Sequence, residues 1–277
     1  MPDMLYDKFP DKHYAIFTMN RPERLNALGR QMWADQSAAL EDFNNDPEMR
    51  AGILTGKGRA FSAGADLKEM AERNARTAEV QAQFDRNEIS NDERNRILTQ
   101  IQGFPGGPSR MGLSPKPIIA AINGLCLAGG MERYIDCEIR IASTEAYFGL
   151  FEVKRGIIAG YAVQHLARVM PFGEVMHLLM TADTMSVQEA YRLGFVHEVV
   201  EPDQLMPRAI EMAERIAANA PLAVQASKAV AHFWRQYAMG ESEKFSDSIY
   251  RNLLASEDAK EGPRAFSEKR EPVWKAR

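Results

Sequence analysis

Short apolar or alternating runs at residues 14–19, 51–55, 117–122 and 137–142 are separated by segments in which apolar residues recur every three or four positions. Five or six residues suffice for a strand and are too few for a stable helix, whereas the three-to-four spacing gathers apolar side chains on one helical face. Strands and helices that alternate along a chain pack as helices around a sheet, so an α/β fold is predicted. After about residue 202 the strand pattern stops. QLMPRAIEMAERIAANA keeps helical spacing, and PLAVQASKAVAHFWRQY follows with Pro221 at a first helical position, where a missing N–H leaves no bond unmade. The chain therefore divides into a core, 1–202, and a helical region, 203–277. Its 277 residues, 45% hydrophobic, are enough for one large core plus that addition.

Charge and spacing exclude several functions. A net charge of -4 is opposite in sign to what phosphate neutralisation along a nucleic acid requires. No stretch approaches 18 apolar residues, and the start MPDMLYDKFPDKHY lacks an apolar leader core, so a cytoplasmic protein with no membrane contact is expected. Cys126 and Cys137 fit no zinc or redox spacing and sit among apolar residues, as reduced core cysteines do. TGKGRAFSAG has Phe61 where the dinucleotide fingerprint needs its third glycine, and no GK[ST] closes it as a phosphate loop. No GxSxG is present, and the five histidines are scattered singly. Carboxylates and backbone groups are what remain.

Three stretches stand out among them. AFSAGADLKEM places Ala63, Gly64 and Ala65 directly before a helix start, so that a ligand can approach the main chain itself. INGLCLAGGMERYIDCEIRIAS runs from a strand into Ala128, Gly129 and Gly130 and then a turn carrying Glu132. AYFGLFEVKRGI holds Glu152 between Gly149 and Gly156. Either glutamate alone reads as an ordinary solvated or dipole-favoured side chain. The pair is what suggests chemistry. AERNARTAEVQAQFDRNEISNDERNRILTQ is charge-rich and reads as a solvated helical face or a cover, and GFPGGPSRMGLSPKP breaks it into a loop.

The order NRPERLNAL, RAFSAGADLKEM, KPIIAAINGLCLAGGMERYIDCEIRIAS, FGLFEVKRGI and GPRAFSEKR, from about residue 14 to 270, resembles the crotonase, or enoyl-CoA hydratase/isomerase, superfamily. The resemblance implies a spiral of ββα units carrying an acyl-CoA site, a C-terminal helical region that trimerises, and a homotrimer or a hexamer of two trimers. It implies no cofactor beyond the coenzyme A of the substrate. Its two backbone donors to the thioester oxygen correspond to the amides of Ala65 and Gly129, and its water-holding glutamates to Glu132, assigned as base toward water, and Glu152, assigned as proton donor to the α-carbon. Which of the two starts protonated stays open. For coenzyme A it points to Arg24, Ala65, Asp66, Leu67 and Lys68, with Phe266 and Lys269 resembling tail residues that reach the nucleotide of a neighbouring subunit.

This chain departs from the family pattern around the acyl pocket, with Arg133 after Glu132, Ala159, Tyr161 and Ala162 after Glu152, and a long segment between Met70 and Lys116. Reversible syn hydration of a 2-enoyl-CoA is the leading expectation. Double-bond isomerisation or other enolate chemistry on a specialised acyl-CoA is the second, and a non-catalytic acyl-CoA-binding scaffold the third.

Overall fold

A computed structural model describes residues 1–102, 111–236, 248, 252 and 256–277. Strands β1 (Met4–Phe9) and β2 (Tyr14–Met19) pair antiparallel, and α1 (Arg30–Asn45) leads to β3 (Ala51–Gly56), which pairs parallel with β2. From there one unit repeats. β3 enters a main sheet, β4 (Ala60–Ser62) a second sheet, and helices α2 (Leu67–Asp85) and α3 (Asn91–Gln102) follow. β5 (Ile118–Ile122) and β6 (Leu125–Leu127) repeat the pair before α4 (Gly129–Ile135). β7 (Ile139–Ser143) and β8 (Tyr147–Gly149) repeat it again, before α5 (Ala162–His165) and α6 (Phe172–Thr181). β9 (Thr184–Ser186), α7 (Val187–Arg192) and β10 (Glu198–Val200) complete the two sheets, in the orders β1-β2-β3-β5-β7-β10 and β4-β6-β8-β9. This is a mixed α/β spiral of ββα units, as the resemblance implies.

Burial follows from the layering. All residues of β3 and β5 are buried, which requires both faces of the main sheet to be covered. One face packs Phe17, Leu54, Ile118 and Ala120 against Phe43 of α1 and Tyr134 of α4. The other packs Tyr14, Ile53, Ile119 and Ile141 against α8 (Leu205–Ala217). That helix buries Leu205, Ala209, Ala213 and Ala217, a stripe at every fourth position whose three alanines let it lie close on the strands. Each large apolar side chain buried this way contributes roughly 1.5–3 kcal/mol.

The C-terminal helices attach by polar contacts as well. From α9 (Pro221–Gln236), Lys228 Nζ reaches Glu138 Oε1 at 3.0 Å and donates to the Lys116 carbonyl at 2.9 Å. The last helix, Glu257–Glu268, holds Arg270 through Glu261. Most of the loop expected at 103–117 lies outside the described residues; its end forms a single 3-10 turn, Met111–Leu113. Cys126 and Cys137 are free and buried, and burial pushes both thiols up in pKa. No helix among the described residues is long and apolar enough to cross a membrane.

Candidate active site

The two small-residue stretches meet. Leu28 forms a parallel bridge with Ala65: its N–H donates to the Gly64 carbonyl at 2.7 Å, and its carbonyl accepts from Asp66 N–H at 3.2 Å. Alternation along an extended chain turns the Ala65 N–H to the opposite side, toward the N-terminus of α4. Gly64 has φ +90, and a Cβ there would stand 2.8 Å from the Ala128 Cβ and 3.0 Å from the Gly129 nitrogen, so only glycine allows this approach. A Cβ built on Gly129 would lie 3.6 Å from the Ala65 nitrogen, which places the two amides side by side. Ala128, between β6 and α4, is itself held at φ 50 and ψ -130. A residue with a side chain adopts that conformation at a cost of about 1–3 kcal/mol, and such strain persists where the surrounding structure imposes it. Its N–H is tied to the Gly149 carbonyl at 2.8 Å.

Asp66 fixes the first of these turns. Its buried carboxylate caps α2, accepting from Lys68 N–H at 3.1 Å and Glu69 N–H at 3.3 Å, and it takes Arg21 Nη2 at 3.0 Å and Arg24 Nη1 at 3.1 Å. Burial raises its pKa, but the Glu69 amide and the Arg21 guanidinium outweigh that and hold it below the ordinary carboxylate range.

Beside the amides sit the two glutamates in opposed settings. Glu132, one turn into α4, accepts at Oε1 from the N–H groups of Tyr161 and Ala162, both at 2.9 Å. Glu152 opens the 3-10 turn Glu152–Arg155 after β8, is buried, and its Oε2 has no partner. Burial, reinforced by the negative charge of Glu132, raises its pKa. One carboxyl is therefore anchored as an acceptor and the other favours its proton.

A cleft of about 1240 Å³ opens over these groups. Leu28, Ala65, Asp66, Gly129, Glu132 and Tyr161 line it at one end, and α2 and α3 roof it with Arg73, Arg76, Glu79, Ile97 and Ile101. Of the residues assigned from sequence, Ala65, Asp66, Gly129 and Glu132 come together in its wall. Glu152 is not among the lining residues and lies within electrostatic reach of Glu132. Leu67 and Lys68 are exposed, and Arg24 points to Asp66, outside the cleft lining. Lys269 is exposed after the last helix, and the side chain of Phe266 lies outside the described residues. The charge-rich segment lies in two helices of the cleft, and its lining positions 72, 73, 76 and 79 carry a helical spacing that the sequence displays. Trp33 of α1 and Met111 also line the cleft without having been assigned. No group of three residues placed to hold a metal ion occurs among the described residues.

Two sheets wound from ββα units carry two adjacent main-chain amides and the Glu132 carboxylate at one cleft, with Glu152 within electrostatic reach of Glu132. Residues 12–277 match the family model described as enoyl-CoA hydratase/isomerase, and the chain belongs to that family. It is 37% identical over 271 residues to a mevalonyl-coenzyme A hydratase of Aspergillus fumigatus, covering 96% of this chain and 93% of that one. It is also 37% identical over 260 residues to a short-chain-enoyl-CoA hydratase of Clostridium acetobutylicum, covering 92% of each. The crystal structure of an enoyl-CoA hydratase from Mycobacterium tuberculosis superposes with a TM-score of 0.83 at 31% identity over the full length of both chains.

Proposed function

We propose that this protein catalyses the reversible syn addition of water to a 2-enoyl-CoA thioester. The observation that carries this reading is the opposed setting of Glu132 and Glu152 beside the amides of Ala65 and Gly129. The thioester oxygen accepts from the two amides. Water bound at Glu132 attacks the β-carbon and gives its proton to that carboxylate, while the C=C electron pair moves onto the thioester oxygen as an enolate. Glu152 then delivers its proton to the α-carbon and the electron pair returns to form the new C–H bond. The product is a 3-hydroxyacyl thioester, one water heavier than the substrate. Solvent exchange returns the proton from Glu132 to Glu152.

Crotonyl-CoA and longer 2-enoyl-CoA esters should lose their enone absorbance on mixing with the protein, with a product mass increased by one water. Loss of no ester at any chain length would refute the reading, and turnover without a mass change would replace it by isomerisation.

Coenzyme A enters as part of the substrate, with no added cofactor. The two free cysteines agree with a cytoplasmic setting. A homotrimer, or a hexamer of two trimers, is supported by the exposure of Ile158, Phe172, Met180 and Tyr191, large apolar side chains that a subunit contact would cover. Light scattering at micromolar concentration should give three or six chain masses; a single chain mass would contradict the assembly.

A further inference from the structure

The cleft contains a cation that the hydration reading does not use. Arg133 follows Glu132 on α4, is 8% exposed, and lines the cleft together with Trp33, Asp136 and Tyr161. Its guanidinium carbon sits 3.9 Å from the centroid of the Trp33 ring. Nη2 donates to Oε1 of Gln36, and Nε has no partner. No carboxylate among the described residues forms an ion pair with it. Asp136, whose charge acts on the arginine, accepts the Tyr161 hydroxyl. Burial lowers the arginine's pKa to about 10, which leaves it protonated at neutral pH.

A buried guanidinium with an unpartnered Nε is an unfavourable wall for a hydrocarbon tail, because the tail removes water from the charge and returns no hydrogen bond. A carboxylate does return them. Its two oxygens match the donor fork of arginine, and the indole face behind the guanidinium holds that fork in place. On α4 the Gly129 amide, the Glu132 carboxylate and Arg133 occur at positions i, i+3 and i+4, so the thioester end, the attacked carbon and the cation are ordered along one short helix. We propose that Arg133 makes this site selective for acyl-CoA esters whose acyl tail carries a carboxylate. The proposal rests on the reading of the cleft as an acyl-CoA site. The carboxylate is a spectator in the hydration, contributing binding and register and no bond change.

The test uses saturated ligands, so that binding is read without turnover. Glutaryl-CoA and adipyl-CoA are compared with their neutral monomethyl esters by calorimetry on the full chain. At least one acid should bind about tenfold or more tighter than its ester. Arg133→Met, which keeps bulk and removes charge, should bring that acid and its ester to within about threefold of each other, and Arg133→Lys should retain an intermediate preference. Equal binding of acid and ester to the unmodified protein, or an undiminished preference in Arg133→Met, overturns the assignment. Should the methionine variant fail to fold, the unmodified protein alone decides. A protein that prefers the acids and hydrates no 2-enoyl ester would overturn the hydratase reading and leave the role of Arg133 standing.

Discussion

Gly129→Ala should lower kcat for hydration by about 10²–10³-fold, comparable to losing one oxyanion donor, because the added methyl pushes the thioester oxygen off the retained amides. The backbone of Gly129 is not left-handed, and an added Cβ would meet Leu28 at 3.5 Å, the Ala65 nitrogen at 3.6 Å and Gly64 at 3.7 Å, all ordinary contacts. Alanine is also a better helix former at this first position of α4. The fold should therefore tolerate the change, with the thermal midpoint within about 2 °C of the original. The substrate should not, because the methyl occupies the space between the two amides where the thioester oxygen must sit. Steady-state kinetics and a melting curve on the same preparation check both halves. Unchanged kcat would remove the Gly129 amide from the mechanism.

The second large effect concerns the carboxyls. Glu132→Gln and Glu152→Gln should each cost about 10²–10⁴-fold in hydration, since an amide keeps the shape of the group and cannot exchange protons with water or carbon. The double variant should lose far less than the product of the two, as groups that act as a unit do. Alpha-carbon exchange in deuterated water divides the roles: it should persist in part when Glu132 is changed and disappear when Glu152 is. Stability adds an independent signature. The folded-state pKa of Glu152 is raised, so the fold favours its protonated form; that contribution is fully present below the ordinary carboxyl range and is lost as pH rises through the folded value. Glutamine stays neutral throughout. The melting midpoint of Glu152→Gln should thus climb relative to the parent as pH is raised from about 5 to 8. A Glu152→Gln variant that hydrates at the parent rate, or loses stability with rising pH, would make Glu152 a structural carboxylate.

Much of this was readable in the chain. The apolar runs at 14–19, 51–55, 117–122 and 137–142 became β2, β3, β5 and β7, because strands buried on both faces need continuous apolar sequence. The second sheet was not legible. β4, β6 and β8 have three residues each, too few for any period to register, and they exist because each continues a main-sheet strand around a bend. Glycines beside Glu132 pointed to the amides, since close backbone approach leaves a compositional trace. The donors on Glu132 left none: they are the main-chain N–H groups of Tyr161 and Ala162, about thirty residues away, and any residue but proline at those positions would supply them. That the charge-rich helices would line the cleft was not legible for a related reason. Helix α2 buries only Val80, so its sequence looks like that of a solvated helix even though one side of it faces the cleft.

The groups that would hold the thioester oxygen are main-chain amides, set by Gly64, the strained Ala128 and the Leu28 bridge. The groups that would meet the acyl tail are side chains, Trp33 on α1, Arg133 on α4 and Tyr161 before α5. These two layers of the site answer to different kinds of sequence change. Under the proposed reading, replacing Trp33, Arg133 or Tyr161 would alter which acyl group is welcome and leave the amides where they are, whereas the close approach at Gly64 has no room for a side chain. A lineage of such proteins can therefore diversify its diet while its electrophilic centre stays still, and the record of that diversification is written beside Glu132, where this chain carries an arginine.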